Sequence, residues 1–214
     1  MSLIVFEGLQ GSGKTTAIKS LESILKNSNK NYCITSWNSS VEINPIVQSL
    51  KLKKSFNQIV MSLLHASDLL LRYEYEIKPN LFENNIVIAD RYIYTSYVRD
   101  CARGVPSELL DYIYKDIVEP DIIFYLNVPV ETAVKRKIEE INKNQLVEYY
   151  YYNSGMDITG LDLQNSMIKY KSELKKRYDD MFLNKENVVI IDGESTTEEI
   201  TQIIYNSILK LKEK

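Results

Sequence analysis

The sequence is poor in cysteine, histidine, proline and glycine, and each shortage excludes a class of protein. Its 214 residues include one histidine and two cysteines, Cys33 and Cys101, which are too few for a disulfide framework or a zinc site. Five prolines and seven glycines are far below the content of a collagen-like or low-complexity chain. We therefore expect free thiols and a globular fold.

Long apolar runs and an excess of positive charge are also missing. No stretch approaches the roughly 18 consecutive apolar residues that span a bilayer. The net charge of −3 argues against a broad nucleic-acid-binding surface. We expect a cytoplasmic protein with no membrane or nucleic-acid partner. Its length and its hydrophobic content of 44% suit one domain, residues 1–214.

A glycine-rich motif lies near the start of the chain. Residues 8–16 have the sequence GLQGSGKTT, between the apolar run Leu3–Phe6 and the helix-compatible segment Ala17–Leu25. This strand–loop–helix context is typical of a phosphate-binding loop with the pattern GxxxxGK[ST]. Its glycines let several backbone N–H groups point into one concavity, at which the helix aims its positive end. The motif predicts binding of a nucleoside triphosphate.

Two side chains of the motif carry its chemistry. Lys14 would reach the β- and γ-phosphates, and the Thr15 hydroxyl would ligate Mg²⁺. An ordinary glycine-rich turn before a helix would not require Lys-Thr at the helix start. The predicted cofactors are ATP and Mg²⁺. The loop residues predicted to bind them are Gly8, Gln10, Gly11, Ser12, Gly13, Lys14, Thr15 and Thr16.

Four more apolar runs follow the motif, with helical segments between them. They predict a five-stranded parallel sheet with helices on both faces, a P-loop NTPase fold, whose strands are buried on both sides. Sites in such folds lie beyond the carboxyl ends of the strands. The four runs are Tyr32–Thr35, Ile86–Ala89, Ile122–Leu126 and Val188–Ile191. Gly8, Asp90, Asn127 and Asp192 should therefore converge on one crevice.

The segment from about residue 142 to residue 160 lacks helical periodicity and contains four consecutive tyrosines, Tyr149–Tyr152. A long irregular stretch inside a compact domain is typical of a functional lid. The tyrosines fit two roles equally well, packing against the rest of the protein or covering a substrate. Earlier in the chain, Lys51–Lys54 is most simply the solvated end of a short helix.

The phosphate loop alone leaves several reaction classes open. The sequence has no Asn-Lys-x-Asp pattern, which GTPases use to recognise the base, and no room for the partner domains of a motor. A lone domain with a lid suits a small-molecule kinase, because such an enzyme must exclude water or it hydrolyses ATP.

Three segments give this kinase hypothesis a family. VFEGLQGSGKTT at residues 5–16, ADRYIYTS at residues 89–96 and YLNVPVETAVKR at residues 125–136 resemble the thymidylate kinase family. The resemblance extends along nearly the whole chain and is greatest to a divergent branch. It implies phosphoryl transfer from Mg-ATP to a nucleoside monophosphate, with dTMP as the first choice. It also implies the strand order 2-3-1-4-5.

The resemblance assigns roles to three further residues. Asp90 would lie near Mg²⁺, through water. Arg91 would be a catalytic residue that clamps phosphate between donor and acceptor. Arg136 would lie near the adenine and the base of the lid. Family members are commonly homodimers, and the apolar helix at Leu63–Leu71 could serve as the contact or belong to the core.

The acceptor half departs from the family pattern. Gln10, His65, Leu69 and Arg99 replace family residues that contact the sugar, the base and the phosphate of the acceptor, and no arginine lies between residues 137 and 157. Arg72 could supply the missing phosphate contact, and Arg99 or Arg103 the missing cation of the lid. The predicted substrate-binding residues are Glu7, Gln10, His65, Arg72, Arg91, Ser96 and Arg99.

Two other functions remain open from the sequence. A kinase of a nucleoside or another small hydroxyl compound would need a carboxylate base, for which Glu7 or Asp90 could serve. A regulatory protein could bind ATP without transferring phosphate. A phosphate acceptor needs no base, because its oxygen is already nucleophilic and positioning carries the catalysis.

Overall fold

A computed structural model describes residues 2–28, 30–54, 57–144 and 150–211 of the chain. The strands are β1 (Ser2–Glu7), β2 (Tyr32–Ser36), β3 (Ile86–Asp90), β4 (Ile122–Asn127) and β5 (Val188–Asp192). The α-helices of the described residues are α1 (Lys14–Asn27), α2 (Asn44–Lys53), α3 (Gln58–Arg72), α4 (Lys78–Phe82), α5 (Ile93–Cys101), α6 (Ser107–Tyr114), α7 (Val130–Asn144), α8 (Met156–Thr159), α9 (Leu163–Phe182) and α10 (Thr197–Leu211), and a π-helical segment, Tyr73–Ile77, joins α3 to α4. Among the described residues, no helix has the length and apolar character needed to cross a bilayer.

The five strands form one parallel sheet in the order β2-β3-β1-β4-β5, which confirms the predicted fold and strand order. The register aligns Phe6 with Asp90 and Asn127 with Asp192. The polar residues that end the strands therefore share one edge of the sheet, as predicted.

Side chains of the central strands alternate between two apolar layers. Leu3 and Val5 of β1 join the layer that contains α3, α5, α6, α7 and α9. Ile4 and Phe6 join the layer that contains α1 and α10. Burial on both sides explains why these strands are continuous apolar runs rather than alternating ones.

The two edge strands correct the prediction that every strand is buried on both faces. In β2 only Thr35 is buried, and Ile34 is 38% exposed. In β5 only Ile191 is buried, and Ile190 is 59% exposed. An apolar run in the sequence does not show whether its strand is central or at an edge of the sheet. An edge strand has a neighbouring strand on one side only, so it is more exposed to solvent.

A second correction concerns Lys51 of α2: the segment Lys51–Lys54 was predicted to be solvated, and Leu52, Lys53 and Lys54 are exposed but Lys51 is not. Lys51 is only 4% exposed, and its ammonium group lies 5.7 Å from the centre of the Tyr152 ring. Lys51 follows buried Val47 by one helical turn, so both residues face inward.

The predicted lid segment begins within α7, which continues to Asn144. Tyr149 lies outside the described residues. After it, Tyr150 and Tyr152 are buried, and the chain enters the short helix α8. Tyr152 packs with Val47 and Met61, which agrees with the packing alternative for this residue.

Candidate active site

The loop between β1 and α1 passes so close to its neighbours that two glycines are required. A Cβ atom on Gly8 would lie 2.5 Å from the carbonyl oxygen of Leu126, and one on Gly11 would lie 2.6 Å from that of Ala133. Both residues also have positive φ angles, 137° and 91°, which favour glycine. The predicted loop therefore has a backbone conformation that any residue other than glycine at these two positions would distort.

Lys14 folds back over this loop. Its Nζ donates hydrogen bonds to the carbonyl oxygens of Gly8 (3.1 Å) and Leu9 (2.8 Å) and lies 3.3 Å from Ser12 Oγ. Burial and the nearby Arg91 guanidinium lower the pKa of Lys14 to about 7. A phosphate group would compensate the cost of keeping this ammonium group charged.

The groups predicted to hold Mg²⁺ fit a magnesium ion that is shared with substrate phosphates. Thr15 and Thr16 are exposed in the first turn of α1, and Asp90 ends β3 beside the loop. No group of three or more histidine, cysteine or acidic residues that could hold a metal occurs in the described ranges. Mg²⁺ commonly takes one or two protein ligands together with phosphates and water, and Thr15 with Asp90 matches that donor set.

Arg91 follows β3 in a left-handed conformation, with φ of 75°, which is uncommon for residues other than glycine. Its guanidinium group donates to Thr95 Oγ1 and to the Tyr178 hydroxyl, both at 3.2 Å, and lies 3.9 Å from Glu7 Oε2. Glu7 is fully buried and accepts hydrogen bonds from the Tyr92 N–H (2.9 Å), Thr95 (2.7 Å) and Tyr178 (2.8 Å). This network fixes the orientation of Arg91.

The network changes the expected role of Glu7. Both of its carboxylate oxygens are occupied by protein donors, and none of its surface is exposed. Burial raises the pKa of Glu7, while Arg91 opposes that shift. The predicted substrate contact is replaced in this structure by support for Arg91.

A cavity of about 270 Å³ opens beside the loop at the carboxyl edge of the sheet. Its wall includes four of the predicted site residues, Gln10, Asp90, Arg91 and Arg99. Tyr150 of the predicted lid also lines it, which agrees with the substrate-covering alternative for this tyrosine. A smaller cavity joins Gly8 and Gln10 of the loop to Arg91 and Arg99. Donor-side and acceptor-side residues thus meet in one region.

The cavity is rich in cations: Arg91 and Arg99 were predicted site residues, whereas Lys51 was predicted to be solvated. Lys51 lines it together with Arg91 and Arg99. Burial and the charges of Arg99 and Arg103 lower the pKa of Lys51 to about 7. Arg99 donates a hydrogen bond of 3.1 Å to Asn153 Oδ1, so the lid segment orients it. Such a wall suits an anionic ligand.

His65 lies outside the cavity wall. It is fully buried, and its Nδ1 is 3.4 Å from Asp100 Oδ1. Burial lowers the pKa of His65, which favours the neutral ring at pH 7. Its ring packs 5.5 Å from that of Trp37, which does line the cavity. Trp37 therefore takes the place at the wall where His65 was expected.

Arg72 and Ser96 are two further predicted substrate contacts that the structure does not bring to the cavity. Arg72 is 1% exposed; it pairs with Asp68 (2.9 Å) and donates to Thr35 (3.0 Å). Ser96 is fully buried and lies 2.8 Å from the Tyr114 hydroxyl. Both residues pack beneath the site. The helical spacing of Arg72 from Leu69 does not show how deeply its side chain is buried.

Arg103 fastens the lid segment instead of facing the cavity. Its guanidinium pairs with Asp157 at 3.2 Å, donates to the Tyr152 carbonyl at 2.7 Å and bonds the Tyr170 hydroxyl. It also lies between two rings, 4.1 Å from the centre of Tyr152 and 4.3 Å from that of Tyr170. These contacts join the turn after α5 to the lid segment and to α9.

Arg136 lies on the other side of the phosphate loop. Its NH1 donates to the carbonyl oxygens of Gly11 (3.3 Å) and Gly193 (3.1 Å). The side chain therefore links α7 to the loop and to the turn after β5. This position agrees with the prediction that Arg136 lies on the nucleotide side of the site. Arg136 remains a candidate contact for the nucleotide.

Sequence reasoning missed Lys171 of α9. Its Nζ donates a 2.8 Å hydrogen bond to the carbonyl oxygen of Gln10, and it lines the smaller cavity with Arg91 and Arg99. A signal existed: Lys171 lies on the buried stripe of α9 between Met167 and Leu174. A lysine at such a position is unusual, because burial of an ammonium group is costly.

The parallel sheet, the loop after its first strand and the cationic cavity beside that loop define a phosphate-binding-loop protein of the nucleotide kinase class. Comparison with known proteins then specifies the family. The family model described as Thymidylate kinase matches residues 6–151. The chain belongs to the thymidylate kinase family.

Three curated relatives match along almost their whole length. A "Probable thymidylate kinase 2" of Saccharolobus solfataricus is 35% identical over 97% of this chain and 94% of its own. A "Probable thymidylate kinase" of Methanococcus aeolicus is 30% identical over 98% and 96%. A "Thymidylate kinase" of Sulfurihydrogenibium is 29% identical over 96% and 95%.

Proposed function

We propose that this protein transfers the γ-phosphate of Mg-ATP to the phosphate of dTMP and forms ADP and dTDP. The observation that carries the proposal is one crevice in which a glycine-dependent phosphate loop faces a wall of buried cations. The names of the relatives make dTMP the first acceptor to test.

On the donor side, backbone N–H groups of residues 8–15 and the Lys14 ammonium would hold the triphosphate. Lys14 would exchange its present bonds to loop carbonyls for the β- and γ-phosphates. Thr15 would ligate Mg²⁺, with Asp90 acting through water. The metal ion, when bound, neutralises charge on the phosphates.

On the acceptor side, Arg91, Arg99 and Lys51 would hold the dTMP phosphate. These three cations line one cavity, and Glu7 fixes the first of them. An oxygen of the dTMP phosphate attacks the γ-phosphorus as the bond to the bridging oxygen of ADP breaks. No proton has to move, so the reaction needs orientation and charge neutralisation rather than a base.

Of the two carboxylates that could serve as a base for a hydroxyl acceptor, Glu7 is buried, and Asp90, which lines the cavity, is assigned here to Mg²⁺. A hydroxyl acceptor would need a carboxylate base, and both oxygens of Glu7 accept hydrogen bonds from the protein. The concentration of cations at the acceptor cavity also fits a phosphate better than a neutral hydroxyl compound.

Three further features belong to the proposal. Residues 1–214 would form one kinase domain, whose lid lies at about 142–160, and the protein would act in the cytoplasm. A homodimer would form through α3, where Ile59, Val60 and Leu63 are each at least 45% exposed. Sedimentation of wild type and of the variant Leu63→Glu tests this contact, since a charge there should leave a monomer.

The test of function is an assay of ADP formation by purified protein with Mg-ATP and a panel of nucleoside monophosphates and thymidine. We expect ADP formation that depends on dTMP and is much faster than with the other acceptors. A rate that depends on thymidine instead would identify a hydroxyl kinase. ATP binding without any acceptor-dependent ADP would indicate a regulatory protein.

A further inference from the structure

Lys171 is a buried cation on an otherwise apolar stripe of α9. Its side chain lies on the same helical face as Met167, Tyr170, Leu174 and Tyr178, and it is 3% exposed. An ammonium group at such a position costs free energy, because it loses its hydration. A methionine or leucine would pack there at less cost.

The charges around Lys171 increase that cost. After burial itself, the groups that most strongly lower its pKa are Lys14, Arg91, Lys137 and Arg99, and all four are cations. Its hydrogen bond to the Gln10 carbonyl oxygen uses one of three N–H donors. This arrangement becomes favourable when an anion lies among the cations.

The position of Lys171 identifies that anion. It lines the small cavity between Gly8 and Gln10 of the phosphate loop and the acceptor-side residues Arg91 and Arg99. In the proposed reaction, a phosphoryl group that passes from a nucleotide in the loop to an acceptor beside Arg99 would pass next to this cavity. Negative charge on that group and on the bridging oxygen must be neutralised during transfer.

We propose that Lys171 is a catalytic residue whose ammonium group contacts the phosphoryl group during transfer. It supplies the cation that an arginine of the lid would otherwise provide, since no arginine lies between Lys137 and Asp157. The proposal rests on the proposed function. The bond from the acceptor phosphate oxygen to the γ-phosphorus forms while the bond to the bridging oxygen breaks, and ADP leaves with that electron pair.

A purely structural role makes different predictions. If Lys171 only tied α9 to the Gln10 carbonyl, its removal would loosen the loop, lower the thermal stability and raise the KM for ATP. If Lys171 serves the transferred group, its removal should leave both KM values nearly unchanged and lower kcat. Removal should also keep or raise the thermal stability, because a buried charge and its repulsion by Lys14 disappear.

The experiment compares Lys171→Met, Lys171→Arg and the control Lys176→Met, in which an exposed lysine of α9 is changed. We expect Lys171→Met to lower kcat about 100-fold or more, with KM for ATP and dTMP within about threefold of wild type. Lys171→Arg should recover part of the loss, because it restores the cation. Lys176→Met should match wild type.

A binding measurement tests the same point without turnover. Calorimetry would compare Mg-ADP alone with Mg-ADP, dTMP and aluminium fluoride, which mimics a phosphoryl group in transfer. Lys171→Met should bind Mg-ADP as wild type does and lose about 100-fold in affinity for the fluoride complex. Equal affinity for that complex in the two proteins would overturn the proposal.

The possible failures are distinguishable. Wild type that forms no ADP in response to dTMP would reject the proposed function and, with it, the role of Lys171. Active wild type with an equally active Lys171→Met variant would reject the Lys171 proposal alone. A lower kcat in Lys171→Met together with a higher KM for ATP and a lower melting temperature would assign Lys171 a structural role.

Discussion

The two sides of the site are built from different parts of the polypeptide. On the proposed donor side, backbone groups of a continuous segment, residues 8–15, would form the binding surface, and Gly8 and Gly11 leave no space for a side chain. On the proposed acceptor side, the surface would consist of long side chains from α2, from the residue after β3, and from α5. Lys51, Arg91 and Arg99 each come from a different one of these elements.

This difference indicates which side of the site should tolerate amino-acid substitutions. A backbone cradle depends on conformation, so replacing one of its glycines distorts the whole loop. A cation on a long side chain can be supplied from several neighbouring positions, as long as the charge reaches the same point. A leucine at position 69, where the resemblance implies an arginine, is therefore compatible with the proposed phosphate binding, because Lys51 and Arg99 line the cavity.

The largest effect should come from the donor side. We expect Lys14→Ala to lower kcat/KM about 1000-fold or more, because this ammonium group would contact both phosphates that change charge during transfer. The fold should survive, since a buried charge is removed. Lys19→Ala, at an exposed position of α1, is the control. Wild-type rates in Lys14→Ala would mean that the loop does not hold the donor.

Single changes on the acceptor side should be smaller and selective. Arg99→Met and Lys51→Met should each raise the KM for dTMP about 10- to 100-fold. Each variant would lose one charge-assisted hydrogen bond to the dTMP phosphate, which contributes about 1.5–3 kcal/mol. The KM for ATP should stay the same. Lys53→Met, at an exposed position of α2, is the matched control. Steady-state kinetics with each substrate varied would show whether the two sides are separable.

The support of Arg91 by Glu7 should give an intermediate result. We expect Glu7→Gln to lower kcat about tenfold, because the amide keeps the size of the side chain but removes the charge that holds the Arg91 guanidinium. The KM for ATP should change little. Loss of all activity in this well-folded variant would indicate that Glu7 acts directly on the substrate.

The smallest effect concerns stability and pH. Burial lowers the pKa of Lys51 to about 7, against about 10.4 in an unfolded chain. Between these values the unfolded chain binds more protons, so this group makes the fold more stable as pH rises through that window. Near pH 7, Lys51→Met should therefore have a higher melting temperature than wild type. The increase should be about 2–4 °C for each kcal/mol gained in the free energy of unfolding.

That advantage should shrink as pH rises from 7 and should vanish only well above about 10.4, where Lys51 is neutral in both states. Thermal unfolding of wild type, Lys51→Met and Lys53→Met across this range would measure it. A difference between wild type and Lys51→Met that does not change with pH would contradict the burial of a titrating lysine. Lys53→Met should follow wild type at every pH.

The same comparison explains what the sequence could predict. The phosphate loop and the position of Asp90 and Arg91 depend on contiguous patterns, whereas the strand order was implied by the family resemblance, and the structure has each of these features. The acceptor wall depends on which helical residues face inward. Helical spacing placed Arg72 near the phosphate, whereas its pairing with buried Asp68 holds it beneath the site.

Lys51 and Lys171 show the complementary error. Each is a lysine one turn from a buried apolar residue, Val47 and Met167 respectively, and a lysine usually indicates a solvated face. Only the tertiary arrangement of α2, α9 and the loop shows that Lys51 faces the larger cavity and Lys171 the smaller one. Depth beneath a surface and contacts between distant segments are not encoded in local periodicity.

The central claim is that donor and acceptor phosphates meet between the glycine-rich loop and the cationic wall. A crystal structure of the protein with Mg-ADP and dTMP tests it most directly. We predict the β-phosphate of ADP within hydrogen-bond distance of Lys14 and the phosphate of dTMP within that distance of Arg91 and of Arg99 or Lys51. A dTMP phosphate bound away from all three of those cations would contradict the account.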